Sequence, residues 1–384
     1  MPIKFSRELL DSSTGTPPKG CRYCDRGSKL VLYITGICSE DCFYCPLSEE
    51  KKGKDVIYAN ERPVNGPDWL DHIIEEENRM DALGTGITGG DPMLFPERTG
   101  KVIRKLKEVF GKRHHVHLYT TGSFDIQKLE EMKEAGLDEI RFHPNIAYWK
   151  QFRFLGRDCE QGDPLDASVY HELMFEARRL GISTGIEVPA VINTRKGGTL
   201  YSEGLYHLID YAAREGMEFV NVNELEASHT NMDHFNRMGY ELVGDSMAVA
   251  GSRELAVSTI EKVRAKNPDS PTVFHICSSV YKDSVQLRNR LKRTSENIAR
   301  PFEIPTEDGT LLRGIVESEN IEDVVDYLTE IYGVPRELYR INGNILFVAP
   351  WILQEIGKKL PGRCYISEVY PTWDGLEVER IPVE

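Results

Sequence analysis

Short β-branched stretches alternate with longer amphipathic segments through most of this 384-residue chain, and that alternation limits the fold more than any other feature. The amphipathic segments repeat apolar residues three and four positions apart, as Trp69 and Ile73 do, which is typical of helices with one buried face. Seven strands separated by helices predict a parallel sheet with right-handed crossovers. The predicted strands are Leu30–Thr35, Gly84–Thr88, Val116–Thr120, Glu139–His143, Ile182–Val188, Glu218–Asn223 and Thr272–Ile276.

The carboxyl ends of these strands carry polar residues, such as His143 and Asn223. In a closed or partly closed α/β barrel, that rim holds the active site. An open doubly wound sheet is the alternative, although no GxGxxG sequence follows the first strand, which disfavours a dinucleotide-binding fold. Near Pro301 the pattern changes to an α+β module of short strands and helices, in which the Asp-Gly pair of WDGLE predicts a tight hairpin.

The overall charge disfavours a protein whose whole surface binds nucleic acid. The chain has 47 Lys and Arg against 61 Asp and Glu, a net charge of −14, whereas phosphate binding depends on cations. A local basic groove remains compatible with this balance. The apolar run Ile345–Leu353 is far shorter than the roughly 20 residues of a membrane span, and the N-terminal segment lacks the apolar core of a signal peptide. We therefore expect a cytoplasmic protein with no membrane partner.

Three cysteines follow the first long strand within eight residues, as C-SED-C-FY-C. Cys38, Cys42 and Cys45 lie on one loop, and thiolates are the usual ligands of iron–sulfur clusters. Three thiolates leave one iron of a cubane without a protein ligand, so that iron is available to a substrate or cofactor. A zinc ion held by the same three thiolates and a distant fourth ligand is the alternative.

This CxxxCxxC spacing, with Tyr44 before the third cysteine, resembles the radical S-adenosylmethionine (SAM) superfamily. Within it, the chain resembles proteins related to the pyruvate formate-lyase activating enzyme. The resemblance implies a partial (β/α)6 barrel with an additional strand, followed by a small C-terminal α+β domain. It also implies that a 4Fe–4S cluster binds SAM and, after reduction by an electron donor, cleaves it to a 5′-deoxyadenosyl radical that takes hydrogen from a substrate.

A second motif, GGDP, follows the next strand and resembles the family's GGEP element, with Asp91 in place of Glu. Gly89 and Gly90 would let the backbone approach the methionine ammonium of SAM. Further strand ends match the family less closely, and Gly185 lies nearer Glu187 than the family pattern GxIxGxxE has it. The resemblance implies that the residues facing SAM are Tyr44, Gly89, Gly90, Asp91, Thr120, Thr121, Arg141, His143, Gly185, Glu187 and Asn223.

A second pair of cysteines, Cys21 and Cys24, forms a CxxC sequence near the N-terminus. Such a pair can direct two thiolates at one ion, and His275 and Cys277, alternate residues of the seventh strand, are the best candidates for the remaining ligands. We expect zinc here, with an auxiliary iron–sulfur cluster as the rival and a CxxC pair that binds alone, or binds nothing, as a further alternative. Cys159 and Cys364 have no partners in sequence and are interpreted as ordinary thiols.

The predicted domains are an N-terminal metal-binding segment, 1–27, the barrel, 28–300, and the C-terminal α+β domain, 301–384. Segment 281–300 is basic: Lys282, Arg288, Arg290, Lys292, Arg293 and Arg300 outnumber Asp283 and Glu296. This segment is either a solvated helix or a surface that positions RNA. We expect a radical SAM enzyme acting on a macromolecule, RNA or protein, or alternatively on a small metabolite. The competing class is a zinc-bearing, non-catalytic module that binds RNA or protein.

Overall fold

The computed structural model describes residues 12–155, 167–194 and 201–383. Contacts divide the described chain into two units. The first contains the residues up to Asp25, then Lys29–Ile74 and Leu83–Val285, and the second contains Arg26–Ser28, Glu75–Ala82 and the residues from Gln286 onwards. The division falls near residue 285, about fifteen residues before the change of pattern in the sequence.

The first unit is built on one sheet with the strand order β1-β10-β9-β8-β7-β6-β5-β2-β3-β4. The seven strands from β10 to β2 are parallel, β1 pairs antiparallel with β10, and the β3–β4 hairpin pairs antiparallel with β2. The predicted mixed α/β class and parallel sheet are therefore confirmed. The strands are β1 Ser12–Ser13, β2 Lys29–Tyr33, β3 Ile57–Ala59, β4 Arg62–Val64, β5 Gly84–Thr88, β6 His115–Thr120, β7 Glu139–Phe142, β8 Ser183–Pro189, β9 Phe219–Asn223 and β10 Val273–Cys277.

Helices connect these strands and bury one face each. In α3, Pro96 occupies the first turn, where its missing N–H is not needed, and Val102, Ile103 and Leu106 are fully buried. Gly111, at φ 81°, ends this helix in a conformation that favours glycine. The helices of this part of the chain are α1 Lys19–Asp25, α2 Trp69–Arg79, α3 Pro96–Phe110, α4 Lys128–Ala135, α5 Ser168–Arg179, α6 Tyr201–Arg214, α7 Met232–Met238, α8 Ser252–Lys266 and α9 Ser279–Tyr281.

Helix α1 lies inside the curve of the sheet. The Gly20 amide donates to Glu139 Oε2 of β7 at 3.2 Å, and Asn221 Nδ2 of β9 lies 3.2 Å from Cys21 Sγ. Asp25, at the other end of the helix, accepts a hydrogen bond from Tyr281, which follows β10. One short helix thus contacts side chains from strands that are not neighbours. The parallel strands must therefore curve around it as a partial barrel.

The second unit contains an antiparallel sheet with the order β13-β14-β12-β15-β16, in which β11 also pairs with β12. The predicted Asp-Gly hairpin joins β15 and β16, with Gly375 at φ 60°. Leu346, Val348 and Leu353 lie in the buried core. Among the described residues, no helix is long and apolar enough to cross a membrane. The elements are α10 Arg288–Ile298, β11 Ile304–Pro305, β12 Leu311–Glu317, α11 Ile321–Asp326, β13 Tyr339–Asn342, β14 Ile345–Val348, α12 Pro350–Ile356, β15 Arg363–Val369 and β16 Glu377–Pro382.

Candidate functional site

The cysteine loop leaves the carboxyl end of β2 and is closed by its own backbone. Gly36 N donates to the Lys54 carbonyl at 2.7 Å, and Gly53 N donates to the Gly36 carbonyl at 2.9 Å. A side chain at Gly36 would overlap the Lys51 carbonyl oxygen, so glycine is required where the two ends of the loop meet. The closed loop fixes the positions from which the three cysteine side chains extend.

The three cysteine thiols of this loop are partly buried and close to one another. Burial raises the pKa of Cys38 and of Cys42 to about 11, and the charge of Cys45 adds to both effects. The thiols would therefore lose their protons on binding a metal. Within the described residues, no group of three His, Cys, Asp or Glu side chains is set around a single ion. Three thiols on one short loop are the type of ligand set that an iron–sulfur cluster would require, with each thiolate bonded to a different iron.

The two glycines of the GGDP motif pack against the start of the cysteine loop. Gly90 N donates to the Thr35 carbonyl at 2.7 Å, and Asp91 N donates to the Ile37 carbonyl at 2.8 Å. A Cβ at Gly89 would overlap the Thr35 oxygen, and one at Gly90 would overlap the Ile37 oxygen. The glycines thus allow the end of β5 to lie directly against the loop that carries the cysteines.

Asp91 is fully buried, and its carboxylate accepts hydrogen bonds from the next strand end. Oδ2 accepts from Thr121 Oγ1 at 2.6 Å and from Thr121 N at 2.9 Å, and Thr120 Oγ1 lies 3.0 Å from Oδ1. Met93 N also donates to Oδ1, at 2.9 Å. Asp91, Thr120 and Thr121, which were predicted to face SAM, therefore form hydrogen bonds with one another, and Asp91 connects the ends of β5 and β6.

Tyr44 and His143 link the cysteine loop to the interior of the barrel. The Tyr44 hydroxyl lies 3.1 Å from His143 Nε2, and His143 Nδ1 lies 2.9 Å from the Glu187 carbonyl oxygen. Burial lowers the pKa of His143, which favours the neutral ring. The loop, β7 and β8 are thereby joined through two side chains.

Arg141 forms the centre of a buried charge network below the rim. Its guanidinium donates to Glu139 Oε1 at 2.5 Å and to Glu187 Oε2 at 2.7 Å. Burial acts to raise the pKa of Glu187, but Arg141 and the amides of Asn221 and Asn223 outweigh burial and lower it to about 2. Glu187 is therefore ionised at any physiological pH.

Gly185 packs against the aromatic ring of a neighbouring residue. A Cβ at this position would overlap the ring of Phe219, the neighbouring residue on β9. The guanidinium of Arg141 lies 5.5 Å from the centre of the Phe219 ring and 5.3 Å from that of Tyr119. Gly185 thus makes room for an aromatic side chain in the barrel interior. Asn223 Nδ2, one strand along, donates to Glu187 Oε1 at 3.0 Å.

The residues of the predicted second metal site lie around helix α1. Cys21 faces the interior network, and burial raises the pKa of its thiol to about 12, with Arg141 opposing. His275 is buried in β10 near Glu187, Arg141 and Asp25. Since the described residues contain no group of three potential ligands set around one ion, a single zinc ion bound by Cys21, Cys24, His275 and Cys277 gains no support, and this site stays a prediction.

The structure describes one of the two cysteines that were interpreted as ordinary thiols. Cys364 is buried in the second unit, and its thiol donates to the Gly357 carbonyl at 3.4 Å, as an ordinary core thiol does. Cys159 lies outside the described residues.

Several residues that shape the site were not predicted from the sequence. Asn231, fully buried after β9, donates to the Tyr44 carbonyl at 3.2 Å, and Thr230 Oγ1 donates to the Leu47 carbonyl at 2.7 Å. Both residues lie more than 180 positions from the loop that they hold. The amide and hydroxyl near the end of the sixth parallel strand were the available signal, because carboxyl ends of parallel strands share one rim.

Two family models match the sequence. The model of the radical SAM superfamily matches residues 32–159. The model of a domain of unknown function, DUF8061, matches residues 309–383.

A curated protein of Methanocaldococcus jannaschii, whose provisional name is glycyl-radical enzyme activating enzyme, is 37% identical over 398 aligned positions. The alignment covers 100% of this chain and 97% of that protein.

Solved structures align at lower identity. The radical SAM methyltransferase TsrM from Kitasatospora setae, with tryptophan and a SAM analogue bound, is 16% identical with a TM-score of 0.36, and the alignment covers 58% of this chain and 42% of TsrM. Spore photoproduct lyase complexed with a dinucleoside spore photoproduct is 15% identical with a TM-score of 0.41, over 68% of this chain and 86% of the lyase. The chain thus spans less than half the length of TsrM.

Proposed function

Because this chain belongs to the radical SAM superfamily, we propose that it uses radical SAM chemistry to take a hydrogen atom from a glycine residue of a partner protein. The predictions of an enzyme that uses a 4Fe–4S cluster and SAM are confirmed. When bound, these two groups supply the electron transfer and the S–C5′ cleavage that yield a 5′-deoxyadenosyl radical.

Cys38, Cys42 and Cys45 are the proposed cluster ligands. The observation that carries this proposal is their position on one closed loop, where the ends of β2 and β5 meet through Gly90 and the Ile37 carbonyl. Three thiolates from such a loop would leave one iron of the cluster available to the amino and carboxylate groups of SAM. Asp91 holds the neighbouring strand end in place rather than binding the cosubstrate through its saturated carboxylate.

The other candidate residues divide into two groups by their surroundings. The backbone of Gly89 and Gly90 lies at the rim, next to the cysteine loop, and we assign it to contacts with SAM. The ring nitrogens of His143 contact Tyr44 and the Glu187 carbonyl, so we assign His143 to positioning the loop. Arg141 and Glu187 form an ion pair below the rim, so we assign them to holding β7 and β8 in register beneath the cosubstrate.

A protein substrate is favoured over RNA by two observations. The full-length relative carries the name of an enzyme that activates glycyl-radical enzymes, which are proteins. The basic segment, by contrast, is occupied by ion pairs: Lys292 contacts Glu307 at 2.6 Å and Arg293 contacts Asp81 at 2.5 Å. Cations that are already paired with carboxylates bind phosphate groups less strongly.

The balanced reaction consumes one electron, one SAM and one glycine Cα hydrogen, and gives methionine, 5′-deoxyadenosine and a glycyl radical.

The first experiment tests the cluster. The chain is reconstituted with iron and sulfide without oxygen, and iron and 5′-deoxyadenosine are measured after addition of SAM and dithionite. We expect about four irons per chain and no 5′-deoxyadenosine from Cys42→Ala. Cys364→Ala is the matched control, since that thiol lies in the other unit and donates to the Gly357 carbonyl. Full activity in Cys42→Ala would disprove the cluster assignment.

The second experiment tests the substrate class. Proteins of the source organism are labelled with glycine deuterated at Cα, and an extract of those cells is depleted of its own SAM. The reconstituted enzyme is then given this extract together with unlabelled SAM and dithionite. We expect deuterium in 5′-deoxyadenosine, and we expect prior protease treatment of the extract to abolish it. Deuterium-free product whose formation depends on nuclease-sensitive material, or on the small-molecule filtrate, would contradict a glycyl substrate.

A further inference from the structure

The Tyr44 hydroxyl lies between two groups that can accept its proton. One is His143 Nε2, at 3.1 Å, and the other is the sulfur of Cys42, which is within hydrogen-bond reach of the same hydroxyl. Tyr44 is only 4% exposed, so water cannot readily take the place of either partner. A hydroxyl has one proton, and the two acceptors compete for it.

The tautomer of His143 decides this competition. Its Nδ1 lies 2.9 Å from the Glu187 carbonyl oxygen, and a carbonyl can only accept, so Nδ1 carries a hydrogen. Desolvation of the partly buried ring lowers the pKa of His143 and favours the neutral form, in which Nε2 has no hydrogen. Nε2 is therefore an acceptor, and the Tyr44 O–H must point to it rather than to the sulfur of Cys42.

The two partners are held firmly in this arrangement. Asn231 Nδ2 donates to the Tyr44 carbonyl, and the His143 amide donates to the Thr120 carbonyl at 2.8 Å. The rings of Tyr44 and Phe43 also pack edge to face, with 5.1 Å between ring centres. The hydroxyl can consequently change partners by rotating its proton, without any movement of the ring.

A hydrogen bond to a ligand sulfur changes the reduction potential of an iron–sulfur cluster. Because the reduced cluster carries one more negative charge, a donor at the sulfur stabilises it and raises the potential. Cleavage of SAM needs the opposite, an electron of low potential. We propose that His143, by accepting the Tyr44 O–H, keeps that proton off the Cys42 sulfur and thereby keeps the reduction potential of the cluster low.

This proposal rests on the proposed function, because it requires a cluster at Cys42. The test uses the reconstituted holoenzyme without SAM, titrated with redox mediators and followed by electron paramagnetic resonance. In His143→Leu the Tyr44 proton has only the sulfur left, and we expect the ratio of reduced to oxidised cluster at a fixed potential to rise about tenfold, which is about 59 mV for one electron. Tyr44→Phe should shift the ratio less than threefold, and the double variant should behave like Tyr44→Phe.

His171→Leu is the matched control, because His171 Nδ1 forms a similar 2.8 Å bond with the Tyr211 hydroxyl between α5 and α6. We expect no shift there. The proposal would be overturned if the ratio of reduced to oxidised cluster were unchanged in His143→Leu, or if its rise persisted in the double variant. A clear fall of the same ratio in Tyr44→Phe would also overturn it. The iron content of each protein separates failure of this proposal from failure of the proposed function. Wild-type protein that binds no iron after reconstitution would refute the proposed function itself. Variants with full iron content and an unchanged reduction potential would refute only the role of His143.

Discussion

Replacement of Arg141 by Met is expected to weaken the barrel strongly. The Arg141 side chain is 2% exposed and binds both Glu139 and Glu187, so Met leaves two buried carboxylates without their cation. Removing one partner of a buried ion pair costs about 3–5 kcal/mol. Burial acts to raise the pKa of Glu187, and Arg141 is the largest of the groups that lower it to about 2, so the charged carboxylate depends on this cation. We therefore expect a loss of about 3 kcal/mol.

Hydrogen exchange followed by mass spectrometry measures this loss within the barrel. Peptides that contain β7 and β8 should exchange about 100-fold faster in Arg141→Met, at about 1.4 kcal/mol for each factor of ten. Arg153→Met is the control, since Arg153 is exposed and lies over the ring of Phe154. An acceleration below threefold would refute the reasoning, as would an equal effect of the control.

The effect should also depend on pH in a fixed direction. The pKa of Glu187 is lower in the folded protein than in the unfolded chain, so its contribution is complete above pH 4.5 and is lost as the pH falls toward 2. The stability difference between wild type and Arg141→Met should therefore be largest near neutral pH and should narrow below pH 4.5. Thermal unfolding midpoints at pH 7 and pH 3.5 check this, and a gap that widens in acid would contradict it.

Three further predictions concern the loop and the basic segment. Gly90→Ala should reduce iron bound after reconstitution at least several-fold, because its methyl group would overlap the Ile37 carbonyl; normal iron would contradict this. Asn231→Ala removes the donor to the Tyr44 carbonyl and should cost about 1–3 kcal/mol, measured as faster exchange of the cysteine-loop peptides. Lys292→Gln breaks an exposed ion pair and should change stability by less than about 1 kcal/mol, with no change in 5′-deoxyadenosine formation.

The sheet was predictable because its strands are bounded by helices and glycines. The predicted strand Gly84–Thr88 has the observed bounds, and the observed Phe219–Asn223 differs by one residue. Parallel strands connected by helices follow from that alternation alone. Side-chain partners were less predictable: Asp91 was predicted to face SAM, which stays a prediction, and its hydrogen bonds with Met93, Thr120 and Thr121 had no signal in the local pattern.

The position of helix α1 could not be predicted from local pattern. Its seven residues, KGCRYCD, show no apolar periodicity, and its CxxC sequence indicates a metal-binding turn more readily than a helix inside a barrel. The position of the helix depends on Gly20, where a Cβ would lie 2.6 Å from the Arg141 guanidinium and 2.7 Å from His117. Such a glycine is recognisable only once its distant neighbours are known.

The enclosed α1 also has a consequence for synthesis on the ribosome. Cys21 meets Asn221 across 200 positions, and Asp25 meets Tyr281 across 256. At a synthesis rate of roughly 5–20 residues per second, about 10–50 s pass between synthesis of α1 and synthesis of Tyr281, its last contact in the chain. During that interval two thiols remain accessible to oxidants and stray metals. A chain trimmed to begin at Lys29 would lose the contacts of α1 with Glu139, Asn221 and Tyr281, so recombinant protein should keep this helix.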